Sequence, residues 1–132
     1  KKAGLRIVAS SVQVIAEEHG FEKWANFPHE RERLFNLLRK NKTKNIIFLS
    51  GDRHSGEFDK MEIPGFGSVW EITSSGINRN STITEEPNKF RITPLFTQSN
   101  FGIIKVDWRL KTAVAQLIDS ESKVLHQETI NF

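Results

Sequence analysis

Asp52 and His54 stand two residues apart in the segment Ser50-Gly51-Asp52-Arg53-His54-Ser55. A carboxylate and an imidazole on one turn can point into the same cleft. Both are good ligands for metals of borderline hardness, such as zinc, manganese or iron. Arg53, between them, could orient an anionic substrate through its planar guanidinium, or could point outward. Asp-x-His is a short pattern with a plainer reading as well: Asp52 caps the loop backbone and His54 is an exposed surface residue.

The surroundings favour the metal reading. Asn45 to Ser50 is a short apolar run, the pattern of a strand buried on both faces. Gly51-Asp52 then falls just past the carboxyl end of that strand, where open α/β sheets bind ligands. The chain is expected to turn sharply at Gly51, which has no Cβ to obstruct it. Ser55-Gly56-Glu57 continues with small and polar residues, which predicts an open polar site in place of a packed junction.

Other elements must hold this turn in place. Leu5 to Ile15 reads as a strand rich in β-branched residues, broken by Glu17-Glu18-His19-Gly20. A helix is expected from Pro28 to Lys40, with Asn26 as its cap and Pro28 in its first turn. Leu34, Leu37, Leu38 and Phe27 line one face of it, and Asn41-Lys42 supplies the stop. Strand, helix and strand make a βαβ unit with a parallel sheet. Ser68–Thr73, Phe101–Trp108, Thr112–Ile118 and Lys123–Ile130 alternate as strands of an antiparallel meander, with turns at 109–111 and 120–122. The long polar loop between Gly76 and Asn100 is expected to be a lid or a mobile segment.

Composition narrows the function classes. The 132 residues suit one domain, and 37% hydrophobic content with ten Phe and three Trp supports a packed core. The net charge of +3 is scattered. The densest basic run, Arg39 to Lys44, sits where cations suit the negative end of a helix dipole, so it is not a nucleic-acid signal. With no cysteine, disulfides, Cys-based zinc sites and thiol nucleophiles are excluded. No apolar run approaches the roughly 20 residues that span a bilayer. The chain opens at Lys1-Lys2-Ala3-Gly4 and passes straight into an apolar strand, as a piece cut from a longer protein would.

Four segments carry a resemblance. Ile46-Ile47-Phe48-Leu49-Ser50-Gly51-Asp52-Arg53-His54-Ser55 resembles the Gly-Asp-x-His-Ser segment of PhoD-like phosphatases, also called alkaline phosphatase D, within the calcineurin-like metallophosphoesterases. Trp24 to Leu34 resembles that family's Trp-x-x-(aromatic)-Pro-x-x-Arg-x-Arg-Leu helix. Glu71 to Ile77 resembles its Thr-Ser-Ser-Gly segment, and Asn100 to Ile104 its Asn-Phe-Gly strand entry. The order is right and the segments span most of the chain.

The resemblance implies a binuclear metal site at the edge of a β-sandwich that hydrolyses phosphate monoesters or diesters. Asp52 and His54 would ligate the two metals respectively, and a carboxylate in that place favours a harder ion such as calcium or iron. Three departures stand out. The superfamily's earlier metal motifs are absent and would lie N-terminal to Lys1. Ala25 stands where some relatives have Asp. Asn78-Arg79-Asn80 stands where related sequences often have His, so a secondary ligand or substrate contact is expected to differ.

Other polar residues have competing roles. His19 is a second candidate for the site or a plain loop histidine, and Gln13 and Glu18 lie near the same edge. Trp24 and Phe27 read as core or staple residues, Trp70 and Trp108 as sandwich packing, and His126 as structural. His29 suits capping or solvent. Arg31 and Arg33 could bind phosphate or pair with nearby glutamates.

Residues 1–132 are thus expected to form the C-terminal half of a metallophosphoesterase-type two-sheet β-sandwich, α/β in class, with one βαβ element and a terminal antiparallel meander. Asp52, His54 and Arg53 are its candidate catalytic residues. The intact protein would be a metal-dependent phosphatase or phosphodiesterase using two ions of calcium, iron, manganese or zinc, with a phosphate ester as substrate. The chain alone would be inactive and metal-free, since two ligands at about 2.0–2.5 Å cannot hold two metals against water. It would associate with the missing N-terminal half, or pair with a second copy through exposed sheet edges. Export to the periplasm or outside the cell is implied by the resemblance alone. The rival expectation is a non-catalytic β-rich binding domain in which the Asp52 loop is structural.

Overall fold

A computed structural model describes residues 3–132. Seven strands and one long helix follow in the order β1 (Arg6–Ala9), α1 (Pro28–Lys40), β2 (Ile46–Ser50), β3 (Gly56–Ile63), β4 (Gly67–Ser74), β5 (Asn100–Asp107), β6 (Thr112–Asp119) and β7 (Val124–Asn131). A short 3-10 turn, Trp24–Asn26, precedes α1.

The strands form two sheets. The first has the order β1-β2-β4-β3; β1, β2 and β4 run parallel and β3 returns antiparallel. The β1–α1–β2 crossover is the expected βαβ unit. The second sheet is the meander β5-β6-β7, antiparallel throughout. The hairpin between β3 and β4 turns at Gly65 and Gly67, with φ of 76° and 111°, values that residues with a Cβ rarely adopt.

Period-two alternation divides the core in two. Ile47, Phe58 and Ile72 of the first sheet pack with Ala113, Ala115, Leu117 and Ile130 of the second. On the opposite face Ile46, Phe48, Met61, Ile63 and Val69 pack with Val14, Ile15 and Phe35 of α1. Strand β2 therefore has apolar layers on both sides, which its continuous apolar run demanded.

The helix has the expected bounds and a different inward face. Phe35 is buried, with Leu34 and Leu38 packed beside it, whereas Leu37 is 49% and Phe27 64% exposed. The inward stripe is Arg31, Leu34, Phe35 and Leu38, at i, i+3, i+4 and i+7. Arg31 belongs to it because its guanidinium binds Val14 O and Ile15 O, each at 2.7 Å, and Glu17. Asn26 does not cap α1. The N-cap is Phe27, and the Asn26 side chain bonds Lys23 and the Phe21 carbonyl.

The expected strand from Leu5 to Ile15 pairs only over Arg6–Ala9. Residues Gln13 to Ala16 leave the ladder but stay buried. The Glu71 carboxylate replaces the lost partners, accepting the Val14 N–H at 2.8 Å and the Ile15 N–H at 2.7 Å.

Strand β3 was not expected. Ser55, Gly56 and Glu57 form a packed junction in place of an open site. The 76–100 loop is likewise more structured than a mobile lid. Its later part runs along the free edge of β3, with Gly56 and Phe96 exchanging two backbone hydrogen bonds and Ile92 N–H reaching Phe58 O at 2.9 Å. That covers an edge which would otherwise be open to strand addition. Trp70 packs against the intersheet core, as expected. Trp108 does not: it is 66% exposed on the β5–β6 turn, edge-on to Phe132.

Candidate active site

The loop after β2 is built from an alternation of inward and outward residues. Arg53 and Ser55 are buried, Asp52 is exposed and His54 is half-buried. The sharp turn falls on Asp52 and His54, with φ of 60° and 56°, and not on Gly51. Left-handed backbone at non-glycine residues costs about 1–3 kcal/mol each and persists only where its surroundings enforce it. Here the enforcement is visible. Ser75 Oγ accepts the Arg53 N–H at 2.9 Å, and Ser75 N–H reaches Ser55 O at 3.1 Å.

Arg53 anchors the turn from below. Its guanidinium forms a buried ion pair with Glu86 and lies 4.5 Å over the Phe21 ring. Behind it sits His19, 2% exposed, whose Nδ1 accepts the Phe21 N–H. Burial, and then the charge of Arg53, lower the His19 pKa to about 4, so the ring is neutral at physiological pH.

Asp52 and His54 stand outside the ion pairs of this region, Arg53–Glu86 and Arg91–Glu57. Both face a cavity of about 210 Å³, walled also by Phe21, Arg53 and the segment Arg79 to Ile83. A larger groove of about 370 Å³ lies between the sheets, against Ile7, Leu49, Ile72, Phe101 and Ile104. Its polar members are Ser50, Ser74 and Asn100, none of which titrates near neutrality.

A buried polar layer supports the site. On the α1-side face of the first sheet, Ser50, Thr73 and Glu57 stand side by side, and Glu71 stands beside Asp59. Glu57 binds Gln13, Asn88 and Arg91. Asn88 also donates to Asp59 Oδ1 at 2.9 Å. Burial, helped by the charges of Glu57 and Glu71, pushes the Asp59 carboxyl up to about 9, so it is protonated at neutral pH. Burial raises Glu71 to about 7, against the pull of the Val14 and Ile15 amides.

The Asn100 segment closes the same region. Its N–H donates to Gly76 O at 3.3 Å, and Ser74 Oγ donates to its Oδ1 at 3.1 Å. A Cβ on Gly56 would sit 2.8 Å from that Oδ1, and one on Gly76 would overlap the amide nitrogen. These two glycines are needed because Asn100 lies against their backbone.

Of the sequence candidates, the structure brings Asp52, Arg53 and His54 to one cavity and leaves His19 buried behind it. Gln13 bonds Glu57 and Thr73, and Glu18 accepts the Lys89 N–H. Trp24 donates to Ser10 Oγ at 3.0 Å. Arg31 and Arg33 pair with Glu17 and Glu30, and His29 lies exposed on α1. His126 packs edge-on against Phe58 and pairs with Glu128. Sequence reasoning missed Glu86 and the Glu57–Asp59–Glu71 layer, and it marked Arg79 only within the Asn78-Arg79-Asn80 departure from the family pattern. The alternation of Glu57, Phe58 and Asp59 was the available signal for that layer.

Metal chemistry has a donor pair here. A carboxylate oxygen and an imidazole nitrogen, at alternate positions and open to one cavity, fit a metal of borderline or hard character. Among the described residues no group of three or more His, Cys, Asp or Glu converges as a metal shell. Asp52 and His54 are two donors, short of such a shell.

A mixed α/β fold of two sheets with a polar cavity at the carboxyl end of its parallel strands defines the class. The chain belongs to the PhoD-like phosphatase family, whose sequence model matches residues 4–113. It is also similar in fold to a solved structure titled "Structure of PhoD", with a TM-score of 0.70 at 13% identity. That similarity covers 98% of this chain and 28% of the other, so the chain spans under a third of that relative's length. No curated protein matches it.

Proposed function

We propose that the protein carrying this chain is a metal-dependent phosphoesterase, and that Asp52 and His54 supply two of its metal ligands. One observation carries the reading. Two residues with opposite-hand backbone, enforced from both sides, present a carboxylate and an imidazole to one cavity beyond the parallel strands. Family membership supports the choice of phosphate esters.

Each residue has a separate task. Asp52 offers a hard oxygen donor, which favours calcium or iron, while His54 offers nitrogen and also suits zinc or manganese. Ions held there would polarise a phosphoryl oxygen and make bound water a stronger nucleophile. His54 ligates through a neutral ring nitrogen. Arg53 holds the turn through its ion pair with Glu86. Phe21 covers the guanidinium and keeps water from the ion pair.

The two sheets would form the C-terminal portion of a metallophosphoesterase sandwich, with residues 1–132 as one unit. The remaining ligands would come from outside this chain, which makes the isolated chain inactive. The two-donor set and the 28% coverage support that division. Export of the intact protein follows the family's habit.

Phosphoesterase assays of the full-length protein test the reading. Asp52→Asn and His54→Ala should each abolish most of the activity. Unchanged hydrolysis in both variants would leave the loop structural and the chain a β-rich binding domain.

A further inference from the structure

We propose that Arg79 grips the phosphate group of the substrate in the cavity it shares with Asp52 and His54, and favours monoesters over diesters. This rests on the phosphoesterase reading. Two guanidiniums line the cavity, Arg53 and Arg79. They are not equivalent. Arg53 is buried, neutralised by Glu86 and packed over Phe21. Arg79 is exposed and has no ion-pair partner among the described residues. It is the cation left to meet an anion.

Its loop is held at the cavity wall. The Asn80 side chain accepts the Ser99 hydroxyl at 2.9 Å. Ser81 Oγ accepts the Ile83 N–H at 3.1 Å. Just upstream, Gly76 O accepts the Asn100 N–H. Arg79 therefore leaves a braced segment in the wall of the cavity that Asp52 and His54 also line.

Size and charge indicate the ligand. A cavity of about 210 Å³ falls below the roughly 300–1,000 Å³ of pockets that enclose whole small molecules. It takes a compact head group and leaves the alcohol portion outside, so recognition falls on phosphate. A guanidinium fork matches two non-bridging phosphoryl oxygens. A monoester offers a dianion to that fork and a diester a monoanion, so the monoester gains more. The competing partner is Asp52 itself, in the same cavity. An Arg79–Asp52 pair would make Arg79 a regulator of metal loading in place of a substrate contact.

Kinetics and binding on the full-length protein separate these roles. Arg79→Ala should raise the KM of a monoester and the inhibition constant of inorganic phosphate about tenfold, with metal content unchanged. The KM of a diester should rise less. Arg79→Lys should fall between the two, keeping charge but losing the fork. Direct calorimetric titration with inorganic phosphate should show the same weakening without turnover. Unchanged KM and phosphate affinity in a metal-replete Arg79→Ala protein would overturn the proposal, as would a loss confined to metal content. A wild type inactive on every phosphate ester would sink the phosphoesterase reading instead, while the phosphate titration would still report on Arg79.

Discussion

Replacing Asp59 with asparagine should stabilise the protein at alkaline pH. Asp59 is fully buried on β3, opposite Glu71 of β4. Asn88 donates to its Oδ1, and its Oδ2 has no hydrogen-bond partner among the described residues. Burial and the neighbouring charges of Glu57 and Glu71 push the carboxyl up to about 9 from an ordinary 3.8. Between those values the folded chain holds a proton that the unfolded chain has released. Stability therefore falls as pH rises through the window, by at most ~1.4 kcal/mol per pH unit for one proton. Glu71, raised from 4.5 to about 7, adds a fall that is complete near pH 7. His19, lowered from 6.5 to about 4, acts in the opposite sense, its contribution being lost as pH falls through that range. Above pH 7 Asp59 is the one of these three still titrating. Asp59→Asn keeps the shape and the Asn88 contact and removes the proton linkage. Urea unfolding of both proteins at pH 7, 8 and 9 isolates the difference, since other groups cancel. The variant should gain up to ~3 kcal/mol on wild type across that range. Parallel stability profiles would refute a neutral buried carboxyl.

Glu86→Gln should destabilise the protein by about 3–5 kcal/mol, because it strands the buried Arg53 guanidinium without its counter-charge. Pairing it with Arg53→Met should restore much of that loss, as urea midpoints would show. Phe58→Ala should cost about 3–5 kcal/mol, since Phe58 is fully buried between the sheets and truncation leaves a cavity there. A thermal melt unchanged by that substitution would contradict the intersheet core.

Local chemistry made the βαβ unit legible. Pro28 at the first helical position, Arg39 and Lys40 in the last turn and an apolar run at 46–50 each mark an element by themselves. What could not be read depends on partners far away in the chain. Glu57 and Asp59 look like an exposed strand face until Arg91 and Asn88 arrive from the 76–100 loop to bind them. The inward face of α1 was misread because Arg31 finds its acceptors in carbonyls that leave the ladder after β1. At the site, Asp52 and His54 were legible from their types and their place after a buried strand. The backbone strain fell on them, and not on Gly51, because Ser75 and the Arg53–Glu86 pair hold the turn from outside its own sequence. Arg79 was legible only as part of the Asn78-Arg79-Asn80 departure, and the folded loop is what brings it to the cavity.

Metal content and phosphoesterase activity, measured on the same preparations of the full-length protein and its Asp52→Asn and His54→Ala variants, test the metal-loop assignment most directly. Wild type should hold metal and hydrolyse a phosphate monoester. Each variant should lose metal and more than ~100-fold in activity, beyond the 10–100-fold typical of removing an outer-shell partner. Variants with full metal content and wild-type activity would contradict it.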